Sequence, residues 1–168
     1  MLPRFAPAAL AILGLQGVFF EPEEAEMPQM SEGERRAFLS EGTRTAKAAT
    51  TRRDRRPHVA PVWSVLDGDD VVFTTGRDTV KGRAIRRDGH ISLCVDDESP
   101  PYAFVLIEGR ATVSEDLDEM LVWATRIAER YMGAENAESY GKRNAVPGEL
   151  LVRVTPGKFV SENNVTGE

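Results

Sequence analysis

The sequence predicts a small antiparallel β-barrel with flanking helices. Three observations carry that expectation. Six or seven short segments alternate apolar with polar residues or run apolar for a strand's length. Turn formers join many of them closely, as at Asp67-Gly68-Asp69 and Pro156-Gly157. Those joints are too short for the crossovers of a doubly wound parallel sheet. Finally, helical spacing interrupts the strand order after the third strand and again after the fifth.

The elements follow in order. Ser31-Glu32-Gly33-Glu34 reads as a capping box opening a short helix that carries Phe38 and Leu39 and stops near Gly42. Residues 43–50 form the first strand, with Ala46, Ala48 and Ala49 between polar residues. The turn Arg52 to Arg56 leads to a second strand over 57–66, and Asp67-Gly68-Asp69 to a third over 71–75. A basic helix over 79–87 begins at Thr79, whose hydroxyl suits an N-cap. Asp88-Gly89 ends it before a strand over 90–95. Residues 102–114 make a long strand with Gly109 inside it, the mark of a bulge or bend. The clearest helix covers 115–132. Leu117, Met120, Leu121, Ala124, Ala128 and Tyr131 recur at its period, and its first turn is acidic. A short helix over 135–142, a strand over 150–155 and a turn to Phe159-Val160 complete the pattern.

Residues 1–30 do not match the rest and are read as an N-terminal extension expected to be disordered; the domain is read as 31–168. The apolar run Ala8 to Phe20 is too short for a membrane span. The acidic stretch after it offers a poor signal-cleavage site, and Met27 or Met30 would serve as an alternative start.

With 168 residues, 41% hydrophobic and 29% charged, the chain can bury one real core. A net charge of −6 speaks against nucleic acid as a partner. No stable membrane association is expected. The single cysteine, Cys94, excludes an intrachain disulfide and fits a reducing, cytoplasmic setting. Its apolar neighbours suggest a buried, inert thiol. The two histidines, His58 and His90, lack partners at metal-ligand spacing, so no metal site is expected. Basic residues crowd Arg44 to Arg56; that patch suits a small polyanion or is simply a solvated turn.

The most informative stretch runs from Phe73 to Arg87. An apolar strand meets two hydroxyls at Thr74 and Thr75, a polar turn follows, then Thr79 and Lys81 open a basic helix. Hydroxyls, outward N–H groups at the helix start and the Lys81 ammonium together suit a phosphate-like anion. An ordinary strand–loop–helix connection reads equally well from the pattern alone.

These residues and their order resemble a known family. Arg56-Pro57-His58-Val59-Ala60-Pro61-Val62-Trp63, then Phe73-Thr74-Thr75, then the run Thr79 to Asp88 are similar to the pyridoxamine 5′-phosphate oxidase-like split β-barrel superfamily. Within it they look most like the deazaflavin (coenzyme F-420)-dependent oxidoreductases of actinobacteria. The likeness extends through Ser92 to Asp97, Pro100-Pro101-Tyr102, Val105 to Gly109, Tyr140-Gly141 and Val146 to Glu149. It spans about residues 33–160.

The resemblance implies a homodimer with a flavin or deazaflavin in a groove between subunits, acting on a small-molecule substrate. It places phosphate on Thr75, Thr79 and Lys81, and runs Pro61-Val62-Trp63-Ser64 along the ring. Flavin-using oxidases carry an arginine near the start of the second strand. Val59-Ala60-Pro61 has no basic side chain there, which favours coenzyme F-420 over FMN, the alternative. Arg44, Lys47 and Arg56 are candidates for a polyglutamate tail. The implied reaction is hydride transfer from the reduced cofactor, the protein orienting it. No catalytic acid or base is assigned; His58 and Tyr102 are candidate helpers. Trp63 stacks on a ring or belongs to core or dimer interface. A non-catalytic barrel carrying a tetrapyrrole is the rival from another class.

Overall fold

The computed structural model of the protein describes residues 29–166. The expected N-terminal extension therefore lies almost wholly outside the described residues. Gln29 and Met30 are described, and they are packed. Met30 is buried in the core, its N–H donates to Ser161 Oγ at 3.1 Å, and Gln29 Oε1 accepts from the Ser161 N–H at 2.8 Å.

Helix α1 (Glu32–Ser40) opens with the expected capping box: Ser31 Oγ accepts from the Glu34 N–H, and the Glu34 carboxylate accepts from the Ser31 N–H. Strands β1 (Ala46–Thr51), β2 (Pro57–Val62), β3 (Ser64–Asp67) and β4 (Asp70–Gly76) precede α2 (Val80–Asp88). Strands β5 (His90–Asp97) and β6 (Ala103–Ser114) come next. Helices α3 (Leu117–Met132) and α4 (Ala134–Asn144) then lead to β7 (Glu149–Glu162).

The seven strands form one antiparallel sheet in the order β2-β1-β5-β6-β7-β4-β3. The two strands at the ends of this order, β2 and β3, are consecutive in the chain and joined through Trp63 alone. That covalent link curls the sheet on itself as a split β-barrel. It also corrects the second expected strand: residues 57–66 are two strands, broken at Trp63, because the chain there leaves β1 and joins β4.

The strand order is not a simple meander either. β1 pairs with β5, and β4 with β7. The α2 and α3–α4 excursions release strands from pairing with their sequence neighbours. The last expected strands are one, β7, which passes through Pro156 and Gly157 without a turn. The register between β6 and β7 shifts at Glu108/Gly109, so Pro156, which lacks an N–H, sits at a bulge. Gly109 permits this: a Cβ there would stand 2.6 Å from the Thr155 carbonyl oxygen.

The core fills the barrel. Phe73, Leu93, Ile107, Leu150 and Val152 are fully buried within it. Ala46 and Ala48 face this core with no exposed surface, so their small size serves barrel packing. A second cluster, Val72, Leu151, Met120 and Trp123, holds α3 against the outside of β4 and β7.

Candidate functional site

The site begins where β4 ends. Thr79 caps α2: its Oγ1 accepts from the Gly82 N–H at 3.0 Å and donates to the Gly76 carbonyl at 2.8 Å. With that proton committed, the Thr75 hydroxyl, 3.2 Å away, is the donor to Thr79. Thr79 thus has both lone pairs and its proton engaged locally. The loop can fold this tightly because residue 82 is glycine; a Cβ there would lie 2.4 Å from the Gly76 carbonyl oxygen. The cap leaves the Val80 and Lys81 N–H groups at the helix start without a hydrogen bond among the described residues.

Lys81 is half-buried and makes no hydrogen bond or ion pair among the described residues. Burial holds its ammonium below the usual lysine range, an effect that the charge of Glu149 partly offsets. Glu149, at the start of β7, pairs with Gly76 in the ladder, and its Oε1 lies against the bare Gly76 backbone. Burial pushes its carboxyl above the usual range, with Lys81 acting in the opposite sense.

Lys81, Thr75 and Thr79 face Pro61, Val62 and Trp63 across a cavity of about 440 Å³. Ile127 of α3 and Asn144 of α4 close its far wall. Trp63 is 38% exposed and stacks on Tyr131, ring centroids 5.0 Å apart and planes within 4°. The end of α3 fixes that pair. Tyr131 Oη accepts from the Ser64 N–H at 3.2 Å and donates to the Arg44 carbonyl at 2.7 Å. Arg130 donates to the carbonyls of Gly42, Ser64 and Glu41 at 2.9, 2.8 and 3.2 Å.

Six of the expected site residues therefore share one cavity: Pro61, Val62, Trp63, Thr75, Thr79 and Lys81. Ser64 is buried beside it, bonded to Tyr131 rather than lining it. The three candidate tail contacts lie elsewhere. Arg44 pairs with Asp97 at 2.6 Å and Glu41 at 3.0 Å and lies over the Phe38 ring. Lys47 pairs with Asp96. Arg56 pairs with Asp54 at 2.7 Å on the far side of α2. Each guanidinium or ammonium is taken by a nearby carboxylate: Asp97 and Asp96 reach Arg44 and Lys47 through sheet pairing, while Asp54 and Glu41 are sequence neighbours of Arg56 and Arg44.

His58 sits opposite Thr50 on β2, and Tyr102 projects from the β5–β6 turn; neither lines the cavity. Cys94 is half-buried, its thiol pushed up by burial and then by the Asp96 charge. No group of three or more metal-ligating side chains comes together among the described residues.

Sequence reasoning missed Glu149, Tyr131, Ile127 and Asn144. Tyr131 was legible only as one apolar position of a helix. Its hydroxyl partner is 87 residues away in sequence, so no local pattern marks it.

The donor set is chemically suited to an oxyanion. N–H groups with no partner among the described residues stand at the helix start beside a partly desolvated ammonium, and the apolar Pro61, Val62 and Trp63 line the same cavity. Among the described residues no helix is long and apolar enough to cross a membrane.

Comparison with known proteins agrees with this architecture. A family profile described as pyridoxamine 5′-phosphate oxidase matches residues 31–160. No curated protein matches the chain by sequence. Among solved structures, the conserved hypothetical protein Rv2991 from Mycobacterium tuberculosis superposes with a TM-score of 0.71 at 24% identity, over 83% of this chain and 88% of that one. A protein described as an F-420 reductase gives 0.58 at 21% identity, over 74% and 94%. The heme storage protein HutZ from Vibrio cholerae gives 0.64 at 16% identity, over 79% and 95%. At these identities the likeness speaks to the fold.

Proposed function

The chain belongs to the pyridoxamine 5′-phosphate oxidase family, and from that premise we propose that it is a cytoplasmic, homodimeric oxidoreductase using coenzyme F-420 to reduce a small organic substrate. The observation that carries the reading is the Lys81 ammonium, half-buried and without an ion pair, beside the open N–H groups of Val80 and Lys81. Such an arrangement favours a bound oxyanion because the anion restores the solvation that burial removed.

Lys81 and the α2 N–H groups hold the cofactor's phosphate. Thr75 donates its one proton to Thr79, so the two hydroxyls hold the loop in shape rather than bonding the anion. The backbone from Pro61 to Trp63 flanks the ring system, and Val62 and Ile127 exclude water from that wall. When bound, the reduced cofactor supplies the hydride; the protein supplies position and a dry wall. The absence of a basic side chain in Val59-Ala60-Pro61 supports the deazaflavin over FMN. FMN is the second reading, and the family match itself favours it.

Fluorescence titration with each cofactor separates the two. The F-420 reading expects tight deazaflavin binding and turnover with a hydride acceptor such as a quinone or an enone. Tight FMN binding without deazaflavin binding transfers the proposal to FMN. Ligand binding with no turnover on any acceptor leaves a carrier, not an enzyme.

A further inference from the structure

On a face of α2 that does not include Lys81 lies a hollow of about 660 Å³ between the β1–β2 turn and the helix. Arg52, Arg53 and Arg56 reach it from the turn, Arg83 and Arg87 from the helix, with Asp54 as the one lining carboxylate. Val80 and Ala84 complete it; with Arg83 and Arg87 they occupy a single face of α2, spaced three and four residues apart.

The arrangement is built rather than frayed. The turn is closed by the Arg52 N–H to the Arg56 carbonyl at 2.9 Å and the Arg55 N–H to the Arg52 carbonyl at 2.9 Å. Arg87 ties the helix to the turn by donating to the Thr51 carbonyl at 2.6 Å. Five arginines thus line one space on a chain whose net charge is −6. None of them can shed its proton to relieve the repulsion.

Local partners quiet only some of this charge. Arg56 is taken by Asp54 and Arg87 by Asp88. Arg83 donates to the Asp78 carbonyl, which neutralises no charge. Arg53 makes no hydrogen bond or ion pair among the described residues. Arg52 Nε is removed from solvent and has no hydrogen-bond partner among the described residues. A buried donor left in that state is costly and rare.

We propose that this hollow is a second binding site, for a small oligophosphate, separate from the Lys81 cavity. Planar guanidinium forks match phosphate oxygens in pairs, and several forks around one space match several phosphate groups. The acidic remainder of the chain opposes a long polyanion, so the ligand is short. Free polyphosphate and the phosphate chain of a nucleotide share this chemistry. The site does not depend on which cofactor the other cavity takes.

The test is calorimetric titration of the full chain with inorganic tripolyphosphate at low salt. A Lys81→Ala background removes the other anion site. Binding is expected to persist in that background and to weaken about tenfold on adding Arg52→Gln or Arg53→Gln. Arg53 is exposed and without partners, so its substitution leaves the fold intact even if Arg52→Gln does not. A nucleoside triphosphate binding more tightly than tripolyphosphate identifies the nucleotide as the source; equal affinity identifies the phosphate chain alone. Loss of binding in Lys81→Ala, affinity indifferent to both arginine substitutions, or citrate binding as well as tripolyphosphate would each overturn the proposal.

Discussion

Lys81 is the residue on which anion binding turns. Its ammonium has been taken partly out of water with only the Glu149 charge to compensate. Removing it by Lys81→Ala should weaken cofactor binding by about 1.5–3 kcal/mol, since a charge-assisted contact to phosphate is lost. Fluorescence titration of both proteins measures this, and equal affinities would remove the residue from the site.

Glu149 sets the pH dependence. Its carboxyl titrates above the ordinary value of 4.5, and an anion at Lys81 disfavours the charged carboxylate further. Binding is therefore coupled to proton uptake, and affinity should rise as pH falls toward the carboxylate range. The same linkage applies to stability. A raised folded-state carboxyl pKa contributes stability below the unfolded value, and that contribution disappears as pH rises through the folded one. Glu149→Gln should flatten the affinity profile; a slope that survives the substitution would place the titrating group elsewhere.

Among the elements, α2 and the end of α3 do the positioning. The α2 start depends on Gly82, where a methyl group would meet the Gly76 carbonyl oxygen at 2.4 Å. Gly82→Ala should destabilise the protein by about 1–3 kcal/mol and loosen the Thr79 cap. Urea unfolding with unchanged m-value would register this as a stability loss alone. At the other wall, Tyr131 carries one hydroxyl between the Ser64 N–H and the Arg44 carbonyl. Tyr131→Phe keeps the stack on Trp63 but strands those two backbone groups, at a cost of about 1–3 kcal/mol. A lowered melting temperature with a shifted Trp63 emission is the expected signature. An unchanged melting temperature would mean that water replaces the hydroxyl.

At the scale of the whole molecule, two large apolar side chains are exposed on the chain from β2 to the cavity rim. Val59 is 60% exposed on β2, and Trp63 is 38% exposed at the cavity rim. The proposed homodimer would cover this edge and complete the cavity from the partner's side. Sedimentation at micromolar concentration should give a dimer, and Val59→Lys should shift it toward monomer by placing a charge in the covered patch. A monomeric wild-type chain would confine the site to one subunit.

Local signals in the sequence determined the capping box at Ser31 and Glu34, the Thr79 cap, the Gly109 bulge and the long amphipathic helix. Each depends on residues within a turn or two of one another, where propensity and periodicity act directly. The order of Thr75, Thr79 and Lys81 also marked the loop whose residues line one cavity. Tertiary structure alone decided which strands pair, why the chain breaks at Trp63, and which charges remain available. Arg44, Lys47 and Arg56 look alike as sequence, yet each forms an ion pair, while Lys81 forms none among the described residues and feels only the more distant Glu149 charge. For Arg44 and Lys47 those partners come from a strand about fifty residues on, brought close by sheet pairing. The reason is physical: a charge is quenched or exposed by what lies within a few ångströms, and the closing of the barrel sets those distances.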